Sequence, residues 1–357
     1  MDRLLHFFWF GYQRRELDAL VYEDSNSEIQ KWAERSLEEH FAVHSTSCVT
    51  EGRVTTSAGD VLIGHPTWDS MHGQRNRRGR LERDWVRDNR LSDGAVAHPN
   101  TYILMPWVPT FPVEWTDYMP RYESQLDAAR LVFGICGRIW HERTLALDGS
   151  TVQGRVKSKL VRLDMCVNSD ALEGSKSAFN PPGRRKLLHV SNLGSYKGFD
   201  LLLESTRGVA VPSIGTRMLA DVQRGEVTLK FPHQRYRINH LGKIDNGDAE
   251  GMDALVEAHD FYLQTSTMDA QATTILEYAA RGLVPIVTPE SGFESEDAIY
   301  LTRDAARNRE IIDSALQMRE EELRYRSERI KAQIRSRHSW RTFYDTIASH
   351  IRRTCVD

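Results

Sequence analysis

Short apolar runs bounded by turn residues recur along the chain, separated by stretches with helical period. In the first half they fall at 4–10 (LLHFFWF), 41–45, 60–65 (DVLIGH), 102–107, 130–134 and 160–167. Several are apolar almost throughout, as parallel strands covered on both faces are. Between two of them, 27–40 spaces Ile29, Trp32, Ala33 and Leu37 as one helix face. Residues 171–185 (ALEGSKSAFNPPGRR) break the pattern, and their Gly, Ser and Pro without periodicity predict a linker. The pattern then resumes, with strands expected at 186–191, 227–231, 236–241, 261–264 and 284–288 and a helix opening at 198–205. Glu and Arg three and four apart over 303–337 predict a solvated helix or a pair of them. Ser339 reads as an N-cap for a last helix whose one apolar face carries Trp340, Phe343, Tyr344, Ile347 and Ile351.

Strand and helix alternate in both halves, which predicts an α/β chain with two Rossmann-like domains, 1–175 and 176–338, facing across a cleft. The length of 357 residues agrees with two domains. No run approaches the 18 or so apolar residues of a membrane span. Lys and Arg total 47 against 50 Asp and Glu, a net charge of −3 that argues against a nucleic-acid binder. Only 9 of the 47 are Lys. The Arg excess reads first as composition, with one local cluster at 75–90, where seven Arg gather. Cys48, Cys136, Cys166 and Cys355 form no CxxC pair and read as reduced thiols, so no zinc or redox pair is expected. The first residues are too aromatic for a signal peptide and lack its cleavage site, and a cytoplasmic protein is expected.

The richest segment is 260–293, DFYLQTSTMDAQATTILEYAARGLVPIVTPESGF. It reads as strand, polar loop, helix, a stop at Gly282 and a strand entered through Pro285. Asp269 lies in the loop and Glu277 on the helix, with seven residues between them. Gln271, Ala272, Thr273 and Thr274 bring backbone N–H groups to a helix N-terminus, where the dipole also favours an anion such as a diphosphate. Carboxylates on either side accept hydrogen bonds from sugar hydroxyls.

This segment resembles the retaining family 4 glycosyltransferases, and more widely the enzymes with the B-type glycosyltransferase fold. The resemblance rests on the spaced acids, on Tyr278-Ala279-Ala280-Arg281-Gly282 after the second, and on Pro285-Ile286-Val287. Thr265-Ser266 stands where Pro-Ser is common, and Asp269 where the family has Glu. By resemblance Asp269 contacts the donor sugar and Glu277 the nucleotide ribose, while the backbone around Gln271, Ala272, Thr273 and Thr274 holds sugar or phosphate. Upstream, Lys197-Gly198 in LLHVSNLGSYKGFDLLLES matches the family's Lys-Gly, which puts Lys197 on the diphosphate. The family's Arg position falls on Asn192, so one cation is missing: either another is recruited, with Arg235, Arg237 and Lys243 in the same half, or the diphosphate is bound more weakly. His65, at the end of DVLIGH, matches a His that reaches the donor sugar.

The resemblance covers 186–300 and extends to the first half by architecture. It implies a last helix, 339–357, that crosses back to the N-terminal domain. It also implies a hexosyltransferase-type enzyme. Sugar would pass from a nucleotide diphosphate to a hydroxyl on a glycan, lipid-linked glycan or small molecule, with retention of configuration and without metal or other cofactor. The acceptor side would be the N-terminal domain, where the 75–90 cluster suits an anionic acceptor or a peripheral membrane contact. Trp107 and Trp115 are candidates for stacking on sugar rings or for covering the sheet. His6, His141, His189 and His240 lack metal-ligand spacing. Two alternatives stand beside this one: a non-catalytic nucleotide-sugar or glycan-binding protein of the same fold, favoured by Asn192 and Asp269, and a nucleotide-sugar epimerase. A dehydrogenase is disfavoured because no GxGxxG follows a strand.

Overall fold

The computed structural model describes residues 4–8, 15–16, 19–20, 43–44, 61–64, 99–109, 119–167, 172, 176–191, 195–216, 236–245 and 248–355. The helix expected at 27–40, the strand expected at 227–231, His65, Asn192, Trp115, Arg235 and the 75–90 cluster lie outside them. The chain forms two compact units, one of residues 1–164 with 340–357 and one of residues 165–339.

The first unit holds β1 (Leu4–Phe8), β2 (Arg15–Glu16), β3 (Ala19–Leu20), β4 (Val43–His44), β5 (Val61–Gly64), β6 (Thr101–Pro106), β7 (Leu131–Ile135) and β8 (Leu160–Leu163). β2 and β3 pair as a small antiparallel ribbon, and the rest form one parallel sheet in the order β4-β1-β5-β6-β7-β8. Its described helices before residue 165 are α1 (Met119–Ala128), α2 (Arg138–Leu145) and α3 (Val152–Val156). Trp107 is fully buried at the end of β6, and its indole N–H donates to Thr144 Oγ1 at 2.9 Å, so it covers the sheet.

The second unit holds β9 (Leu187–Val190), β10 (Ser213–Thr216), β11 (Asn239–Lys243), β12 (Phe261–Gln264), β13 (Val284–Val287) and β14 (Ile299–Tyr300). These make a second parallel sheet, β11-β10-β9-β12-β13-β14. Its helices are α4 (Phe199–Thr206), α5 (Ala249–Ala258), α6 (Thr273–Ala280), α7 (Ala305–Leu316) and α8 (Glu320–Arg337). β9, β12 and β13 are buried at every position, as their near-continuous apolar sequence requires.

Two sequence expectations change. The 303–337 segment is a pair of helices but not a solvated one, because Ile312, Leu316, Leu323, Ile330 and Ile334 are buried, with α7 packed on α4 and α8 on α6 and β13. The described part of the 171–185 stretch is not a free linker. Asp260, at the head of β12, accepts from Asn180 N at 2.7 Å, Asn180 Nδ2 at 2.9 Å and Lys186 N at 2.8 Å. Glu257 takes the backbone N–H of Ser177 at 2.8 Å and its hydroxyl at 2.6 Å. Lys176 lies 3.7 Å from Asp260 with both side chains buried. A buried carboxylate needs such donors, and here they all come from the segment that leads into β9.

The last helix, α9 (Trp340–Thr354), belongs to the first unit. Trp340, Phe343, Tyr344, Ile347, Ala348 and Ile351 are buried on one face. Tyr102 on β6 meets Thr354, hydroxyl to hydroxyl, at 3.0 Å, and Phe133 on β7 meets His350 edge to face with centroids 6.0 Å apart. The sheet and α9 thus share one core.

Candidate functional site

In the second sheet the chain runs from β9 outward through β10 to β11, then returns to place β12 on the other side of β9. The strand order reverses there, at the carboxyl ends of β9 and β12. Such a switch point is where open α/β sheets take ligands. Lys197 follows β9 and Asp269 follows β12, and the structure brings them together: Lys197 Nζ makes an ion pair with Asp269 Oδ2. The lysine side chain is 11% exposed and the aspartate 13%, so the pair is sheltered but not sealed from solvent.

Each partner is held by its own backbone. Lys197 ends a single 3-10 turn, Ser195–Lys197, before α4. Gly198 then turns the chain at φ 65°, and a Cβ there would run into the Thr265 carbonyl oxygen, so glycine is required on both counts. Thr265 Oγ1 donates to the Gly198 carbonyl at 2.7 Å, and Thr267 N donates to the Tyr196 carbonyl at 2.8 Å. On its other side the 265–272 loop rests on the turn after β13. Asp269 N donates to Glu290 O at 3.0 Å, Ala272 N to Ser291 O at 3.2 Å, and Thr288 Oγ1 to Ser266 O at 2.5 Å. Arg303 binds the Glu290 carboxylate at 3.2 Å and the Thr267 carbonyl at 3.3 Å, closing that turn against the loop.

The Asp269 carboxylate has further donors. Gln264 Nε2 reaches Oδ2 at 3.1 Å and Ser266 Oγ reaches it at 3.3 Å. Gln264 is fully buried at the end of β12, and its Oε1 accepts from Tyr262 OH at 3.2 Å and Thr274 Oγ1 at 3.3 Å. Tyr262 OH also donates to Val190 O at 2.7 Å. Backbone pairing between β9 and β12 ends at Tyr262, and side chains take over from there. His189 Nδ1 donates to Leu263 O at 2.8 Å, which leaves Nε2 to accept from Ser191 Oγ at 2.9 Å. Burial pushes the His189 pKa down to about 4, with Lys197 adding to the shift against the hydrogen bond to Leu263. The imidazole is therefore neutral near pH 7.

Gln264, Tyr262, Ser266 and His189 were not among the expected site residues. A signal for two of them was present in the sequence. His189 and Gln264 are polar residues inside otherwise apolar strands, and a buried polar side chain requires partners.

The remaining expected residues sit as follows. Glu277 lies half-buried on the second turn of α6. No side chain caps α6, whose first turn starts at Thr273. The Ala272 N–H is already taken by Ser291, and the Gln271 side chain is buried, donating to Gly292 O at 3.2 Å and accepting from Met165 N. Those two groups therefore shape the loop. Arg237 lies two residues before β11, at the amino end of the sheet, where it borders a cavity of about 1060 Å³ together with Arg184, Arg207 and Lys186. Lys243 ends β11, at the carboxyl end where Lys197 lies. Of Arg237 and Lys243, Lys243 is the one at the carboxyl end of the sheet.

No protein-family model matches this sequence, and no curated protein matches it. Solved structures do resemble it. A glycosyltransferase from Rickettsia africae ESF-5 superposes with a TM-score of 0.57 at 14% identity, over 95% of this chain and 84% of that one. A UDP-forming α,α-trehalose-phosphate synthase from Burkholderia xenovorans gives 0.57 at 12% identity, over 95% and 81%. WaaG, a glycosyltransferase involved in lipopolysaccharide biosynthesis, gives 0.55 at 11% identity, over 98% and 99%. At such identities the likeness speaks to architecture: the chain has the B-type glycosyltransferase fold, α/β with two Rossmann-like parallel sheets.

Proposed function

We propose that the protein is a glycosyltransferase that moves a sugar from a nucleotide diphosphate to an acceptor hydroxyl. The observation that carries this reading is the Lys197–Asp269 pair at the switch point of the second sheet, in a chain whose solved neighbours include glycosyltransferases. Lys197 would receive the diphosphate, and the uncapped first turn of α6 adds a positive dipole end beside it. Asp269 and Glu277 would accept hydrogen bonds from the donor sugar and the ribose. Asn192 and His65 belong to the proposal by sequence alone. The acceptor would be a carbohydrate or glycolipid on the first unit, and no metal takes part. UDP is the first base to try, because the Burkholderia neighbour is UDP-forming.

In this reading the bond from the anomeric carbon to the phosphate oxygen breaks as the acceptor oxygen attacks from the same face. The acceptor proton passes to that phosphate oxygen. Lys197 neutralises the charge developing on the diphosphate, an electrostatic contribution aimed at the transition state. Retention follows from same-face attack.

The test is direct. Purified protein is mixed with UDP- and GDP-sugars and a panel of glycan and glycolipid acceptors, and nucleotide release is followed. Acceptor-dependent release that Asp269→Ala and Glu277→Ala each lower at least 100-fold is expected, with proton NMR of the product showing a retained anomer. Asp269 in place of the family's Glu, drawn back onto Lys197, favours a non-catalytic donor-binding protein as the second reading. Nucleotide-sugar binding without turnover on any acceptor would select it.

A further inference from the structure

The position of Lys197 has a consequence for how the donor enters. Building on the glycosyltransferase reading, we propose that Asp269 is a placeholder for the donor diphosphate: the carboxylate and the diphosphate compete for one ammonium, and arrival of the diphosphate releases Asp269 to face the sugar.

Asp269 Oδ2 keeps hydrogen bonds from Gln264 and Ser266 when the lysine leaves, so the carboxylate stays in place and solvated by neutral donors. Lys197 Nζ is held by Asp269, with the Tyr196 ring 4.9 Å beneath it. The backbone on both sides is fixed, since Gly198 and Tyr196 are tied to Thr265 and Thr267 of the same loop that carries Asp269. Exchange moves the lysine side chain over a ring face that continues to suit a cation. A diphosphate carries more charge than a carboxylate and draws the ammonium away. Before it arrives, Asp269 supplies a counter-charge to a lysine that is only 9% exposed. Diphosphate binding and sugar recognition become coupled through one side chain.

The expected result is contrary to a simple binding role for Asp269. If the carboxylate competes for Lys197, removing its charge strengthens binding of a nucleoside diphosphate that has no sugar. Calorimetric titrations with UDP, and separately with GDP, are made on the unmodified chain, Asp269→Asn, Lys197→Met and the double variant. Asp269→Asn should bind about 5–150-fold more tightly than the unmodified chain, the range of an ordinary coupling between sites. The gain should vanish in the Lys197→Met background, as a double-mutant cycle requires when two residues act through each other.

Equal or weaker binding by Asp269→Asn overturns the proposal. So does a gain that persists without the lysine, which would be plain relief of charge repulsion. A folded, unmodified chain that binds neither nucleotide defeats the glycosyltransferase reading itself, a separate outcome from the other two. Asparagine is close to aspartate in shape and keeps the bonds to Gln264 and Ser266; should it fail to fold, Asp269→Ser is read in the same way.

Discussion

His189 shows how a single residue connects stability to the site. Its two ring nitrogens meet Leu263 O and Ser191 Oγ, and burial keeps the imidazole neutral. Its pKa falls from the ordinary 6.5 to about 4 in the folded chain. Between those values the unfolded chain binds more protons than the folded one, so stability is lost as pH falls from about 6.5 toward 4, by about 1.4 kcal/mol per pH unit at the steepest. Burial lowers His259, His141 and His350 in the same direction, and each adds to the slope. Urea denaturation at pH 7.5, 6 and 5 measures it. His189→Gln should be less stable at pH 7.5 yet lose less on acidification; an unchanged slope would sink the assignment. At this scale the sequence was only partly readable. Lys197, Gly198, Asp269 and Glu277 stood out because their spacing is local and patterned. The meeting of Lys197 with Asp269, 72 positions apart, depends on which strands are neighbours. His189 and Gln264 lack a motif of their own, and their roles exist only once β9 lies beside β12.

At the scale of the element, period decided what could be read. The strand at 261–264 was legible at its full bounds because every residue but the last is apolar and buried. β10, Ser213–Thr216, passed unread although it is buried throughout, because SIGT has no apolar run to distinguish it from a turn. In α8 the buried Leu323, Ile330 and Ile334 are diluted by charged neighbours on the outer face, and the charge pattern concealed them. α9 is the opposite case, with six buried residues at clean helical spacing. Ile347 is fully buried at the middle of that face. Truncating it leaves a cavity that the sheet cannot readily fill, so Ile347→Ala should cost about 2–5 kcal/mol. Because α9 packs with β6 and β7, the loss should fall on the first unit. Differential scanning calorimetry should show one transition moved down and the other unmoved. Two transitions shifted equally would contradict the division.

For the whole molecule, the division into units makes the proposed donor site separable. Lys197, Gln264, Asp269 and Glu277 all lie between 165 and 339, together with all six strands of the sheet that carries them. The chain crosses between units at 164/165, because Met165 and Val167 are already tied to the second unit. His338 Nδ1 donates to Met165 O at 2.8 Å, and Val167 N donates to His338 O at 2.9 Å. The segment after them is clamped by Glu257 and Asp260 rather than left loose. Residues 165–339 should therefore fold alone, since a compact unit with its own core needs no other. The fragment should bind UDP or GDP within about tenfold of the full chain, a loss of no more than about 1.4 kcal/mol, and transfer no sugar for want of the acceptor side. Residues 1–164 alone should behave otherwise. Without α9 the core around Tyr102 and Phe133 loses one of its walls, and that fragment should aggregate or unfold unless 340–357 is restored. Circular dichroism and nucleotide titration of the three constructions, 165–339, 1–164, and 1–164 joined to 340–357, decide the matter. A second unit that folds yet binds no nucleotide would mean that the first unit supplies part of the donor site, with the position after β5, His65, the first to examine.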